Sequence, residues 1–152
     1  MTTSQTIEKF IELLWNQRQL NLADELFSDD FIARPFAHQP IWNGTGPESM
    51  KHHIQEWLEG VPDLHMKALN ILVQGNQSFV RWEMTGTHKG VLYGIPSTGK
   101  TIKALGITFF EVKDGKIREL QTLFDALGLM QQLDIVPNVG ILIQNYLKQL
   151  ES

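Results

Sequence analysis

Residues 94–101 read Gly-Ile-Pro-Ser-Thr-Gly-Lys-Thr, a full match to the phosphate-cradling loop of nucleotide-binding proteins. That chemistry needs a helix after the loop, because free helix N–H groups and the helix dipole hold the phosphate. The run from Thr101 to Val112 is β-branched and aromatic, carries Gly106 in its middle, and lacks helical spacing of apolar residues. It predicts a strand, so the Gly-rich loop is a long hairpin connection and not a nucleotide site. No later segment reads as an apolar strand ending in a magnesium-binding Asp.

Two residues are candidates for proton transfer. His88 shares the alternation of Val80, Trp82 and Met84 and should face inward with them. It is either a buried neutral imidazole bonded to the scaffold or an acid–base group with a pKa near ~6.5. Asp125 falls where the last strand ends and a helix begins. It either caps that helix or turns into a pocket whose apolar walls raise its pKa. His88 and Asp125 are therefore the catalytic pair the sequence offers. His52 and His53 are adjacent on a helix and point about 100° apart, so they cannot form a helical metal pair. His38 and His65 have no ligand-like spacing to either. Neither a metal nor a cofactor is expected.

The elements that position these residues are legible from periodicity. Ile7, Phe10, Ile11, Leu14 and Trp15 predict an amphipathic helix over 4–18, with Ser4 or Thr3 as its cap. Asn21 can cap a short helix to about Phe27, and Phe31 to Phe36 reads as a short strand before a loop over 37–45. Arg34 and Trp42 flank that loop. Gly46-Pro47-Glu48 starts a third helix with Met50, Ile54, Trp57 and Leu58 on one face, stopped by Gly60 and Pro62. Strands then follow over 65–73, 78–88, 101–112 and 117–124, with turns at Gly75-Asn76 and Asp114-Gly115. Three helices followed by an antiparallel meander is an α+β pattern. Leu127 to Leu133 predicts a short helix. Residues 137–150 predict an apolar C-terminal helical extension of a domain spanning 1–152.

Composition narrows the classes. The chain has 152 residues, a net charge of −4, 42% hydrophobic residues and no cysteine, so disulfides and thiolate chemistry are excluded. No basic surface for nucleic acid is expected. No apolar run approaches the ~20 residues that span a membrane, and the polar N-terminus does not read as a signal peptide. A cytoplasmic protein is expected.

The stretch Gly86-Thr87-His88 with Gly94-Ile95-Pro96-Ser97-Thr98-Gly99-Lys100, then Asp114-Gly115-Lys116-Ile117, Asp125 and Gly128-Leu129-Met130-Gln131-Gln132-Leu133, resembles the SnoaL-like polyketide cyclase family. The resemblance covers roughly residues 4–134. It implies a nuclear transport factor 2-like cone, in which a curved antiparallel sheet wraps around helices and holds a pocket. It implies a homodimer through the convex sheet face. It also implies cofactor-independent acid–base chemistry, an aldol-type cyclisation or isomerisation of an apolar carbonyl compound. The family's catalytic Asp position falls on Thr122, a pocket His position on Thr108 and an Asn position on Ala33. Threonine has no pKa suited to abstracting a carbon-bound proton. The alternative is therefore a non-catalytic binding or assembly module of the same fold. Trp82, Met84, Phe110 and Phe124 would line a pocket for a flat apolar ligand, with Thr108 and Thr122 supplying hydroxyls for orientation.

Overall fold

The computed structural model describes residues 1–36 and 42–152, with nothing described of the Pro35 side chain. The loop expected over 37–45 lies partly outside these residues, and His38 with it.

The chain opens with α1 (Thr3–Lys9). Its cap is Thr2, one residue ahead of the expected Thr3 or Ser4. The Thr2 hydroxyl accepts the Gln5 N–H at 3.1 Å and the Gln5 amide oxygen accepts the Thr2 N–H at 2.9 Å, a reciprocal box that satisfies two orphan donors. From Phe10 to Asn16 the helix widens into a π segment. Phe10, Ile11, Leu14 and Trp15 are all buried along it. Asn16 then clasps the backbone of Met66, donating to its carbonyl at 2.9 Å and accepting its N–H at 2.8 Å. The helix end is thereby tied to the sheet.

The second helix expected from Asn21 is shorter than its pattern suggested. A 3₁₀ turn (Leu20–Leu22) leads into α2 (Ala23–Leu26), and Asn21 caps neither. β1 (Phe27–Pro35) begins four residues earlier than expected, because Phe27 already pairs with Ile117. A two-residue strand, β2 (Gly44–Thr45), lies beside it. α3 (Gly46–Gly60) starts at Pro47 in its first turn and buries Met50, Ile54 and Trp57.

β3 (His65–Gln74), β4 (Gln77–Thr87), β5 (Thr101–Lys113) and β6 (Lys116–Phe124) follow as the alternation predicts. The curved, unclosed sheet has the order β2-β1-β6-β5-β4-β3. Pairing is antiparallel except between β1 and β6, which run parallel. That exception departs from the expected all-antiparallel sheet. β1 precedes α3 and the whole meander, so it reaches β6 by a crossover and not by a hairpin.

The inner face of the sheet buries Val80, Trp82, Met84, Ile102, Ala104 and Phe110 against the helices. The outer face exposes Leu72, Phe79, Ile107 and Leu123. α4 (Ala126–Gln132) packs against β5. α5 (Val139–Leu150) is capped by Asn138 and leaves Ile143, Tyr146 and Leu150 exposed. Among the described residues no helix is long and apolar enough to cross a membrane.

Candidate functional site

The nucleotide-loop signature is spent inside the protein. Thr101 opens β5, so no helix N-terminus follows the loop. The loop wraps around His88, which is fully buried. The Thr98 N–H donates to His88 Nδ1 at 3.3 Å, and the Thr98 hydroxyl lies 3.0 Å from the same nitrogen. The Ser97 hydroxyl and the Gly99 N–H both donate to the His88 carbonyl, at 3.1 and 2.9 Å. The hydroxyls and amides that would hold a phosphate therefore hold an imidazole and its backbone. Nδ1 accepts the Thr98 N–H, and Nε2 is buried without a partner among the described residues. Lys100 pairs with Asp134.

Asp125 caps α4. Its Oδ1 accepts the Gly128 N–H at 2.9 Å, and the residue is exposed. Neither His88 nor Asp125 lines the apolar cavity on the inner sheet face, so the structure does not bring the expected acid–base pair into it.

That cavity, of about 200 Å³, lies between the inner sheet face and the helices. All six residues expected at the pocket, Trp82, Met84, Thr108, Phe110, Thr122 and Phe124, line it. Ala33 is buried but is not part of the wall. Trp42 lines the cavity as well, whereas Arg34 turns to Glu119 at 3.2 Å. All four tryptophans of the chain, Trp15, Trp42, Trp57 and Trp82, contribute to the lining. No Asp, Glu, Lys or Arg does so among the described residues.

Three polar groups run in series across the sheet. The Trp82 indole N–H donates to Thr108 Oγ1 at 2.9 Å, and Thr108 Oγ1 lies 2.8 Å from Thr122 Oγ1. Register sets this up, since Thr108 pairs with Thr122 across β5 and β6. Gly106, paired with Trp82, makes room for the indole, because a Cβ there would stand 2.3 Å from Trp82 Cζ2. Either hydroxyl can donate in that pair; with Thr108 donating while it accepts from Trp82, the Thr122 O–H is available as a donor toward the cavity.

Two titratable groups line the wall that sequence reasoning did not place there. His53 belongs to the α3 stripe with Met50 and Trp57, three and four residues away. That spacing was the available signal, overlooked because the His52–His53 pair was read only for metal binding. The His53 ring stacks on Trp42 at 4.1 Å and meets Trp15 edge-on at 5.9 Å. Desolvation by these apolar walls lowers its pKa to about 3, so it is neutral at physiological pH. Tyr93 sits at φ 50°, with Gly94 at φ 77°, in a two-residue turn closed by Leu92 and Ile95. Left-handed backbone is uncommon for so bulky a residue. Its ring reaches the cavity edge-on to Trp57 at 5.6 Å, and burial pushes its phenol pKa up. His52 stays outside, 3.6 Å from Glu48. Among the described residues no group of three His, Asp or Glu side chains is placed to share a metal.

A curved sheet folded over helices around an apolar hollow is the nuclear transport factor 2-like architecture. A family model described as SnoaL-like polyketide cyclase matches residues 5–133, and the chain belongs to that family. A SnoaL-like polyketide cyclase structure from Jannaschia sp. CCS1, itself a proposed assignment, superposes with a TM-score of 0.78 at 22% identity, covering 89% of this chain and 93% of that one. TsrD from Streptomyces laurentii gives 0.75 at 26% identity, covering 88% and 95%. AclR from Streptomyces galilaeus, described as a proposed hydroxylase, gives 0.77 at 19% identity, covering 98% and 91%. Among curated proteins none matches the chain.

Proposed function

We propose that this chain binds a neutral, ring-bearing, largely apolar carbonyl compound in the tryptophan-lined cavity. The observation that carries the reading is the Trp82–Thr108–Thr122 chain, which ends in a hydroxyl on a wall without charged side chains among the described residues. Thr122 is half-buried and its Oγ1 pairs with Thr108 Oγ1, so a ligand carbonyl accepting from it adds one neutral hydrogen bond, about 0.5–1.5 kcal/mol. A charged ligand finds no counter-ion among the described lining residues and would lose its hydration uncompensated. A dry cavity of about 150 Å³ holds benzene. A space of about 200 Å³ thus suits one or two rings.

Intrinsic tryptophan fluorescence tests this directly, since all four indoles are in the wall. 1-Tetralone should bind roughly five- to tenfold more tightly than naphthalene, about one neutral hydrogen bond. Thr122→Val should erase that preference and leave naphthalene binding unchanged. Equal binding of the two probes by the unaltered protein overturns the proposal.

The enzymatic reading, aldol-type cyclisation or isomerisation by acid–base chemistry, is supported by one observation. His53 places an imidazole in the wall. A base with a pKa near 3 is a poor acceptor of a carbon-bound proton, which is why binding is the leading reading. Deuterium uptake at the carbon next to the tetralone carbonyl, above the buffer rate and lost in His53→Phe, would reverse that order. The proposal also places a second copy of the chain on the outer sheet face, where Leu72, Phe79 and Ile107 are exposed. Light scattering showing a monomer at micromolar concentration would remove that part.

A further inference from the structure

This inference rests on the cavity being a ligand site, and it concerns the imidazole in its wall. His53 Nδ1 and Trp15 Nε1 are both buried without a hydrogen-bond partner among the described residues. Their rings are neighbours, at 5.9 Å and 88° between planes. An indole nitrogen can only donate. A proton on His53 Nδ1 would therefore add a second buried donor with no acceptor among the described residues, whereas Nε2 is not one of the sealed atoms. Buried orphan N–H groups are rarer than buried bare lone pairs, because the donor has no substitute for its lost water. The arrangement that strands one donor fewer leaves Nδ1 bare and puts the proton on Nε2. The opposite side of the ring is occupied by Trp42, stacked at 4.1 Å, which fixes the imidazole plane.

We infer that His53 is a specificity-determining residue, locked as the Nε2–H tautomer, which gives the cavity a second hydrogen-bond donor on the α3 wall, apart from Thr122 on the sheet. The two donors come from different elements, α3 and β6. The favoured ligand then has two acceptors and no charge, as in a quinone or diketone. A phenol offers His53 a weaker match, because its hydrogen has no acceptor at a protonated nitrogen. Apolar surroundings also keep the ring from taking a second proton, its pKa being held near 3.

Two measurements decide it. In ¹⁵N-labelled protein at pH 7.5, two-bond ¹H–¹⁵N correlation spectra should show a bare Nδ1 and a protonated Nε2 for His53. A protonated Nδ1, alone or with Nε2, overturns the inference whatever binds. In fluorescence titrations, 1,4-naphthoquinone should bind about tenfold more tightly than 1-tetralone, one further hydrogen bond. His53→Phe should reduce that ratio to below about twofold. His53→Gln, whose amide N–H reaches toward the Nε2 position, should restore most of it. A ratio unchanged in His53→Phe overturns the inference. If His53→Phe fails to fold, His53→Gln and the tautomer spectrum still decide it. Thr122→Val separates the two levels. Loss of all difference between tetralone and naphthalene in the unaltered protein strikes the cavity reading itself, whereas a failure confined to the quinone strikes only His53.

Discussion

Acid should destabilise this protein through His53 in a way that can be worked out in advance. The ordinary histidine pKa is 6.5, and the apolar wall lowers that of His53 to about 3. The unfolded chain therefore binds a proton between these values that the folded chain refuses. Stability rises with pH wherever the unfolded state holds more protons. The contribution is complete above pH 6.5 and is lost as pH falls toward 3. At pH 5 the unfolded state is favoured by a binding factor of about 30, or about 2 kcal/mol; at pH 7.5 the effect is about 0.1 kcal/mol or less. Urea unfolding at pH 7.5 and 5.0 should thus show the unaltered protein losing about 2 kcal/mol more than His53→Gln. For a domain of this size that is about 4–8 °C in Tm. Other titrating groups are common to both proteins and cancel in the difference. Equal losses in the two proteins would mean that His53 charges freely in the folded state, and the sealed aromatic environment would be wrong.

Thr108→Val should cost about 1–3 kcal/mol in urea unfolding, because it strands the buried Trp82 N–H; a loss below about 0.5 kcal/mol would show the indole bonded elsewhere. Asp125→Ala should cost about 0.5–2 kcal/mol by removing the α4 cap and leave tetralone affinity unchanged; altered affinity in titration would return Asp125 to the site. ATP with magnesium should produce no thermal stabilisation, since the loop's hydroxyls and amides already hold His88; a rise in Tm that scales with ATP would contradict this.

The fold was legible where one face of an element is buried and the other is not. Val80, Trp82 and Met84 against Arg81 and Glu83 fixed β4, and the paired turns Gly75-Asn76 and Asp114-Gly115 fixed its neighbours' limits. β1 was misjudged at its start because Phe27 and Phe31 also fit helical i, i+4 spacing, and exposed Asp29 and a register shift between Phe27 and Ile32 break the alternation. Its parallel pairing with β6 joins segments almost ninety residues apart, as with Phe27 and Ile117, and no local signal reports that. In the site, strand parity placed Trp82, Thr108 and Thr122 correctly, because inward direction on a strand is a period-two property. Parity also sent His88 inward, and it is buried, but inward and cavity-lining are different things. The hairpin over residues 94–100 folds over that end of the sheet and takes the imidazole for itself. His53 was missed for the converse reason. It is a polar residue on an apolar stripe, and the stripe was read without it.

Thr122 is where shared architecture and altered chemistry meet, so it carries the most informative substitution. The resemblance places a carboxylate at this position, whereas here it is the open end of a hydroxyl chain. Thr122→Asp would set a carboxyl within reach of the Thr108 hydroxyl, in a wall with no cation among the described residues. The hydrogen bond favours the charged form, but burial without a counter-charge disfavours it, and here only one donor opposes the desolvation. The folded pKa should therefore rise above the ordinary ~3.9. The folded variant then holds a proton that the unfolded chain releases, so its stability falls as pH climbs above that value. The sign is opposite to that of His53, and the two effects separate cleanly in urea unfolding at pH 5 and pH 8. A carboxyl tuned upward is also the kind of group that exchanges a proton next to a carbonyl. Thr122→Asp should accelerate deuterium uptake by bound 1-tetralone relative to the unaltered protein. A variant that is more stable at pH 8 than at pH 5, relative to its parent, would show that a cation or water reaches this wall, and the uncharged cavity would no longer explain the hydroxyl.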